Sequence, residues 1–137
     1  MTHSPRDVAE AMFANDRASQ SLGMTIVEVT EDRAVLTMTV RPDMVNGLDI
    51  CHGGLIFTLA DSAMAFSSNA SNQFAIASNA EIDWINPGRL GTTLTATATL
   101  RHQRGRSAIT DVVVTDDSDE VIAHFRGRTR QIDGQHL

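Results

Sequence analysis

The sequence predicts an α+β domain in which an antiparallel sheet wraps one long central helix. Three observations predict it. Residues 53 to about 69 form a helix candidate whose apolar side chains go nearly all the way round, and a helix apolar on most sides belongs in a core. Two β-rich segments precede that helix and four follow it. No linker, repeat or low-complexity tract interrupts the chain, so residues 1–137 read as a single domain.

The elements follow in order. Residues 6–20 have helical spacing, with Val8, Met12 and Phe13 on one side and charges on the other. After Gly23, residues 25–29 and 34–40 read as strands joined by a turn at Glu31-Asp32-Arg33. Residues 41–49 are rich in turn formers and read as a loop. The central helix carries Leu55, Ile56, Phe57, Leu59, Ala60, Ala63, Met64, Ala65 and Phe66. Residues 74–85 form a strand that ends at Asn86-Pro87-Gly88. In residues 90–102, Thr93, Thr95, Thr97 and Thr99 alternate with Leu94, Ala96, Ala98 and Leu100, the period of a half-buried strand. A turn at Arg104-Gly105 leads to a strand at 107–115, and a turn at 116–119 leads to a last strand at 121–132.

Composition narrows the function. The chain has 42% hydrophobic and 20% charged residues, the balance of an ordinary globular domain. Its net charge of −6 argues against nucleic acid as the main partner. The one cysteine, Cys51, forms no internal disulfide, which fits a reducing compartment. The first residues lack the apolar core of a signal peptide, and the apolar stretch 55–66 is too short to span a bilayer. A cytoplasmic protein without membrane partners is expected. All eleven cations are arginines, and six lie between Arg101 and Arg130. Arginine grips phosphate bidentately, so this cluster points to a small phosphorylated ligand; solvated strand faces are the competing reading.

Asp61 is the first candidate for chemistry. It falls mid-helix among Leu59, Ala60, Ala63 and Met64. A carboxylate buried there costs several kcal/mol unless bonded or protonated. Either it is functional, or Thr58 or Ser62 satisfies it structurally. At the helix start, Gly53 and Gly54 leave room for a ligand beside first-turn amides that carry the positive end of the helix dipole. Such amides polarise a carbonyl and stabilise an oxyanion; simple turn glycines are the alternative. The two features are eight residues apart, about 12 Å along a helix axis. Both groups must approach one reacting carbonyl and its attacker to about 3 Å. If both act, Gly53 of one chain faces Asp61 of a second, and two antiparallel helices across a two-fold axis make two equal sites.

Asn46, then His52-Gly53-Gly54, then Asp61, then Asn86-Pro87-Gly88 and a last strand reading Phe125-Arg126-Gly127-Arg128 closely resemble the hotdog-fold acyl-CoA thioesterases. The nearest branch is the phenylacetic-acid-degradation thioesterases, and the resemblance runs from about residue 9 to residue 134. It implies a hotdog fold, subunits joined edge to edge through their sheets, and commonly a homotetramer of two dimers. It also implies hydrolysis of phenylacetyl-CoA-type aryl thioesters to free acid and coenzyme A. By resemblance Asp61 is the catalytic carboxylate, the Gly53 amide polarises the thioester carbonyl, Asn46 orients the reacting groups and His52 lies near the pantetheine arm. Some relatives hold the water with a Thr or Ser one turn after the carboxylate. Here that position is Ala65; other relatives use a hydroxyl on the next strand, where Ser78 and Asn79 are the candidates, so the group that positions the water is left unassigned.

The coenzyme enters only as part of the substrate, so no separate cofactor and no metal is expected. Its phosphates make Gly54, Asn86, Arg89, Arg104, Gly105, Arg106 and Ser107 the candidate binding residues, with Arg126, Arg128 and Arg130 equally suited by charge. His102, His124 and His136 lack metal-ligand spacing with Cys51 and read as non-catalytic; Trp84 reads as core or interface packing. Two rivals remain. A hotdog-fold enoyl-CoA hydratase or dehydratase would pair His52 with Asp61, and assaying thiol release against hydration separates the two. A non-enzymatic acyl-CoA binding module would bind thioesters without turning over any.

Overall fold

The computed structural model describes residues 2–137. Six strands form one antiparallel sheet, and one helix lies across its inner face. The elements are α1 (Pro5–Asn15), α2 (Arg17–Ser21), β1 (Thr25–Val29), β2 (Arg33–Thr39), α3 (Gly53–Ser68), β3 (Gln73–Trp84), β4 (Thr93–Arg104), β5 (Ser107–Thr115) and β6 (Val121–Gln135). In space the strands run β1-β2-β4-β5-β6-β3. The strand that follows the helix therefore crosses to the far edge, beside the last strand.

Alternation decides which side chains meet the helix. In β4, Leu94, Ala96 and Ala98 are buried while the threonines between them are not. In β6, Phe125, Gly127 and Thr129 turn inward, and Arg126, Arg128 and Arg130 point outward. The core joins Leu36, Met38, Leu59, Met64, Phe66, Val112, Val114 and Ile122. The N-terminal helical segment differs from the expected single helix over 6–20. Asp16 breaks it, closing α1 as its C-cap and opening α2 as its N-cap with a side-chain bond to the Ser19 amide. An aspartate bonds a backbone amide more readily at a cap than inside a helix.

The central helix also differs from expectation. The sequence predicts burial on most sides, but only Ile56, Leu59, Ala60, Ala63, Met64, Phe66 and Ser67 are buried. Gly54, Thr58, Asp61 and Ala65 form a stripe at helical spacing that the single chain leaves partly open.

Close approach of helix to sheet depends on Gly127. A Cβ there would overlap the Met64 side chain in α3. Gly127→Ala is expected to cost about 1–3 kcal/mol through overpacking, read as a lower urea midpoint with an unchanged m-value.

Candidate active site

The long helix starts without a side-chain cap. His52 occupies the N-cap position and makes no capping bond. Its carbonyl accepts from the Leu55 and Ile56 amides at 3.0 and 3.3 Å. Among the described residues no group accepts from the Gly53 or Gly54 amide, so two donors at the positive end of the dipole stay free. A cleft of about 300 Å³ opens beside them, lined by Ile50, Cys51, Gly53, Ile56, Trp84 and Asn86 among others. Burial pushes the Cys51 thiol up to about 11, so it stays protonated at neutral pH and is no nucleophile there.

The glycines are not equivalent. A Cβ on Gly54 meets nothing within 4 Å, whereas one on Gly53 would come to 2.9 Å from the Trp84 ring. Gly54→Ala is therefore expected to be tolerated by the chain's own packing, read as a urea midpoint no lower than that of the wild type. A concurrent loss of activity would mark the open space as the ligand's.

Asp61 lies two turns further along the same helix, partly buried on the open stripe. Its carboxylate has no hydrogen-bond partner among the described residues. Thr58, a candidate to satisfy it, instead donates to the Gly54 carbonyl at 2.8 Å. Ser62, the other, pairs with Ser19 at 2.9 Å, and Ser19 bonds the Asp16 carboxylate at 2.7 Å. Burial raises the Asp61 carboxyl above the ordinary carboxylate range, and the Asp16 charge pushes the same way. Removing a carboxylate from water without a partner disfavours its ionised form.

Asn46 shapes the approach loop. Its side-chain oxygen accepts from the Leu48 and Ile50 amides at 2.9 and 3.3 Å, and among the described residues its NH2 group has no acceptor. His52 is exposed beside the helix start. Asn86 commits its NH2 to the Val121 carbonyl at 2.7 Å, which anchors the turn after β3.

The candidate phosphate-binding residues fall into two groups that one chain does not bring together. Arg89 lies near the helix start, where Ile50 and Arg89 form a bridge. The Arg104-Gly105-Arg106-Ser107 turn closes β4 onto β5 at the far end; β4 has 12 residues, a span on the order of 35 Å. Arg106 pairs with Asp133 at 3.3 Å, and Arg101 and Arg126 both bind Asp111. Among the described residues Arg89, Arg104, Arg128 and Arg130 have no carboxylate partner.

Water-holding groups remain sparse. Ala65 occupies the open stripe one turn past Asp61 without a hydroxyl. Ser78 sits at a bulge in β3 and donates to the Arg128 carbonyl at 3.3 Å. His136 packs its ring on Phe74 and bonds the Asn69 side chain at 2.8 Å, which fastens the C-terminal segment to the end of α3. No set of three or more potential metal ligands occurs among the described residues.

Sequence reasoning placed Trp84 in a core or an interface; in the single chain it is half-exposed at the end of edge strand β3 and stands over Gly53. Its position just before Asn86-Pro87-Gly88 was the available signal, and only the tertiary fold shows what it touches.

The thioesterase superfamily's sequence profile matches residues 48–123. The chain is 41% identical over 134 residues to acyl-coenzyme A thioesterase PaaI of Escherichia coli, covering 98% of this chain and 96% of that protein. It is 29% identical over 119 residues to human acyl-coenzyme A thioesterase 13, covering 85% of each. The solved structure of the E. coli PaaI protein from the phenylacetic acid degradation operon matches with a TM-score of 0.95 at 40% identity, over 98% of this chain and 97% of that one.

Proposed function

Because the chain belongs to the thioesterase superfamily and has its hotdog fold, we propose that it hydrolyses phenylacetyl-CoA-type aryl thioesters at sites shared between two copies of itself. It is a thioester hydrolase. Asp61 of one protomer and the Gly53 amide of the other act on one thioester carbonyl. A single observation carries this reading: among the described residues both groups lie unpartnered on one continuous helix, about 12 Å apart along its axis. Two antiparallel copies of α3 bring each next to its counterpart.

The fold offers a way to join them. Strand β3 is a sheet edge and carries exposed Ile76 and Trp84, with Ile85 just beyond its end. A long unprotected edge invites pairing with another chain. Two copies joined there bring their open helix stripes together and extend the sheet. The same two-fold brings the Arg104–Ser107 turn of one protomer to the end of the sheet where the other presents Gly53 and Arg89. That places cations from both chains near one coenzyme A nucleotide, and two such dimers make the homotetramer. Coenzyme A takes part as the leaving half of the substrate, and a cytoplasmic setting fits the free buried Cys51.

In the proposed reaction the Gly53 amide donates to the carbonyl oxygen as negative charge develops there. The NH2 of Asn46 and the exposed His52 line the approach of the acyl carbonyl and the pantetheine arm. Asp61 either attacks the carbonyl carbon, forming a mixed anhydride and releasing coenzyme A thiolate, or takes a proton from attacking water. Thiol release measured over a panel of aryl and aliphatic acyl-CoAs tests the substrate class: aryl acetyl thioesters are expected to give the highest kcat/KM, and a preference for long aliphatic chains would overturn it. Single turnover in heavy-oxygen water separates the routes, since label appears in the Asp61 carboxyl only through the anhydride.

A further inference from the structure

We propose that Trp84 is a positioning residue that braces the first turn of α3 and fixes the direction of the Gly53 amide, and that residue 53 is glycine to admit this indole rather than to admit the ligand. The proposal rests on the role given above to that amide.

Three observations support it. Trp84 Nε1 donates to the Gly53 carbonyl at 3.1 Å. A Cβ at position 53 would lie 2.9, 3.0 and 3.1 Å from Trp84 Cε2, Nε1 and Cζ2, closer than side chains pack, so the ring lies against the space where the side chain would be. The backbone there does not itself demand glycine, because φ lies outside the left-handed region. The restriction comes from the indole.

The brace has a firm base. Trp84 ends β3 opposite Ala123 of β6. The next two amides, of Ile85 and Asn86, both donate to the Ile122 carbonyl, and the Asn86 side chain holds the Val121 carbonyl. The platform under the indole is therefore tied to the sheet. The helix start needs such support, since His52 supplies no side-chain cap and both glycines favour backbone freedom. An oxyanion donor stabilises developing charge only when aimed in advance, and misplacement by about 1 Å costs on the order of a hundredfold.

Trp84 is the only tryptophan, so its fluorescence reports on the indole's surroundings apart from activity. Because the indole also lies on the exposed β3 edge, each variant is compared under conditions where sizing shows the wild-type assembly. Four variants test the proposal: Trp84→Phe, Trp84→Ala, Gly53→Ala and the Gly53→Ala/Trp84→Ala pair, each assayed for kcat and KM on phenylacetyl-CoA. Trp84→Ala is expected to lower kcat roughly tenfold with KM little changed. Trp84→Phe, which keeps a ring and loses the N–H, falls between. Gly53→Ala is expected to shift the emission to the red and to lower kcat, yet to cost nothing further once Trp84 is alanine, because the obstructing ring is gone. Unchanged emission in Gly53→Ala overturns the contact. An equal loss from Gly53→Ala in both backgrounds overturns the reason given for the glycine and assigns the space to the ligand. A shifted emission with unchanged kcat overturns the catalytic role of the Gly53 amide itself, a failure of the functional reading distinct from a failure of the brace.

Discussion

An equimolar mixture of Asp61→Asn and Gly53→Val protein, each inactive alone, is expected to recover about a quarter of wild-type turnover after subunit exchange. The figure follows from the symmetry of a two-fold dimer. Random pairing makes half of the dimers mixed, and each mixed dimer holds one intact site out of two. That site takes Gly53 from the chain lacking the carboxylate and Asp61 from the chain with the blocked helix start. The second site of the same dimer carries both lesions. Recovery requires that the two groups meet only between chains, as their separation along α3 demands. Thiol release from the exchanged mixture, compared with each parent at equal total protein, is the measurement. No recovery despite exchange verified by mass-tagged subunits would confine the reaction to one protomer, and the shared site would fall.

Asp61→Asn alone is expected to lower kcat by at least about a thousandfold, the scale lost when a reacting group is removed, while stability rises. The two effects share one cause. The carboxylate is withdrawn from water without a partner, and its pKa stands above the ordinary value through burial first and the Asp16 charge second. A carboxyl whose folded pKa is raised binds protons more tightly in the folded state than in the unfolded one. Its ionised form then disfavours the fold above the folded pKa, and the penalty disappears as pH falls below the unfolded pKa. The amide is neutral throughout, so the variant escapes the penalty at neutral pH. A higher urea midpoint for Asp61→Asn at pH 7, converging with wild type only as pH falls below the unfolded carboxyl's pKa, is the stability readout. Activity runs the other way: kcat/KM of the wild type should fall as pH drops through the raised pKa, since base and nucleophile alike require the ionised carboxylate. A variant with near-normal turnover removes Asp61 from the mechanism.

Local patterning determined much of this protein. The central helix from Gly53, the β4 alternation of threonines with Leu94, Ala96 and Ala98, and the Gly105 turn were legible because side-chain periods of 3.6 and 2 repeat whatever lies across from them. The distance between Gly53 and Asp61 was legible for the same reason, since helix rise is a property of the backbone alone. The break at Asp16 was missed because an aspartate competes equally well as helix surface or as cap until its neighbours are fixed. The open stripe on α3 was hidden as well. An apolar count around a helix cannot distinguish a face covered by the chain's own sheet from one left for another molecule. Only the tertiary structure laid β3 beside β6 as an edge, separated Arg89 from the Arg104–Ser107 turn by the length of a strand, and set Trp84 over Gly53. Those are contacts between residues distant in sequence, and what decides them is the crossing order of the sheet, which no local period encodes.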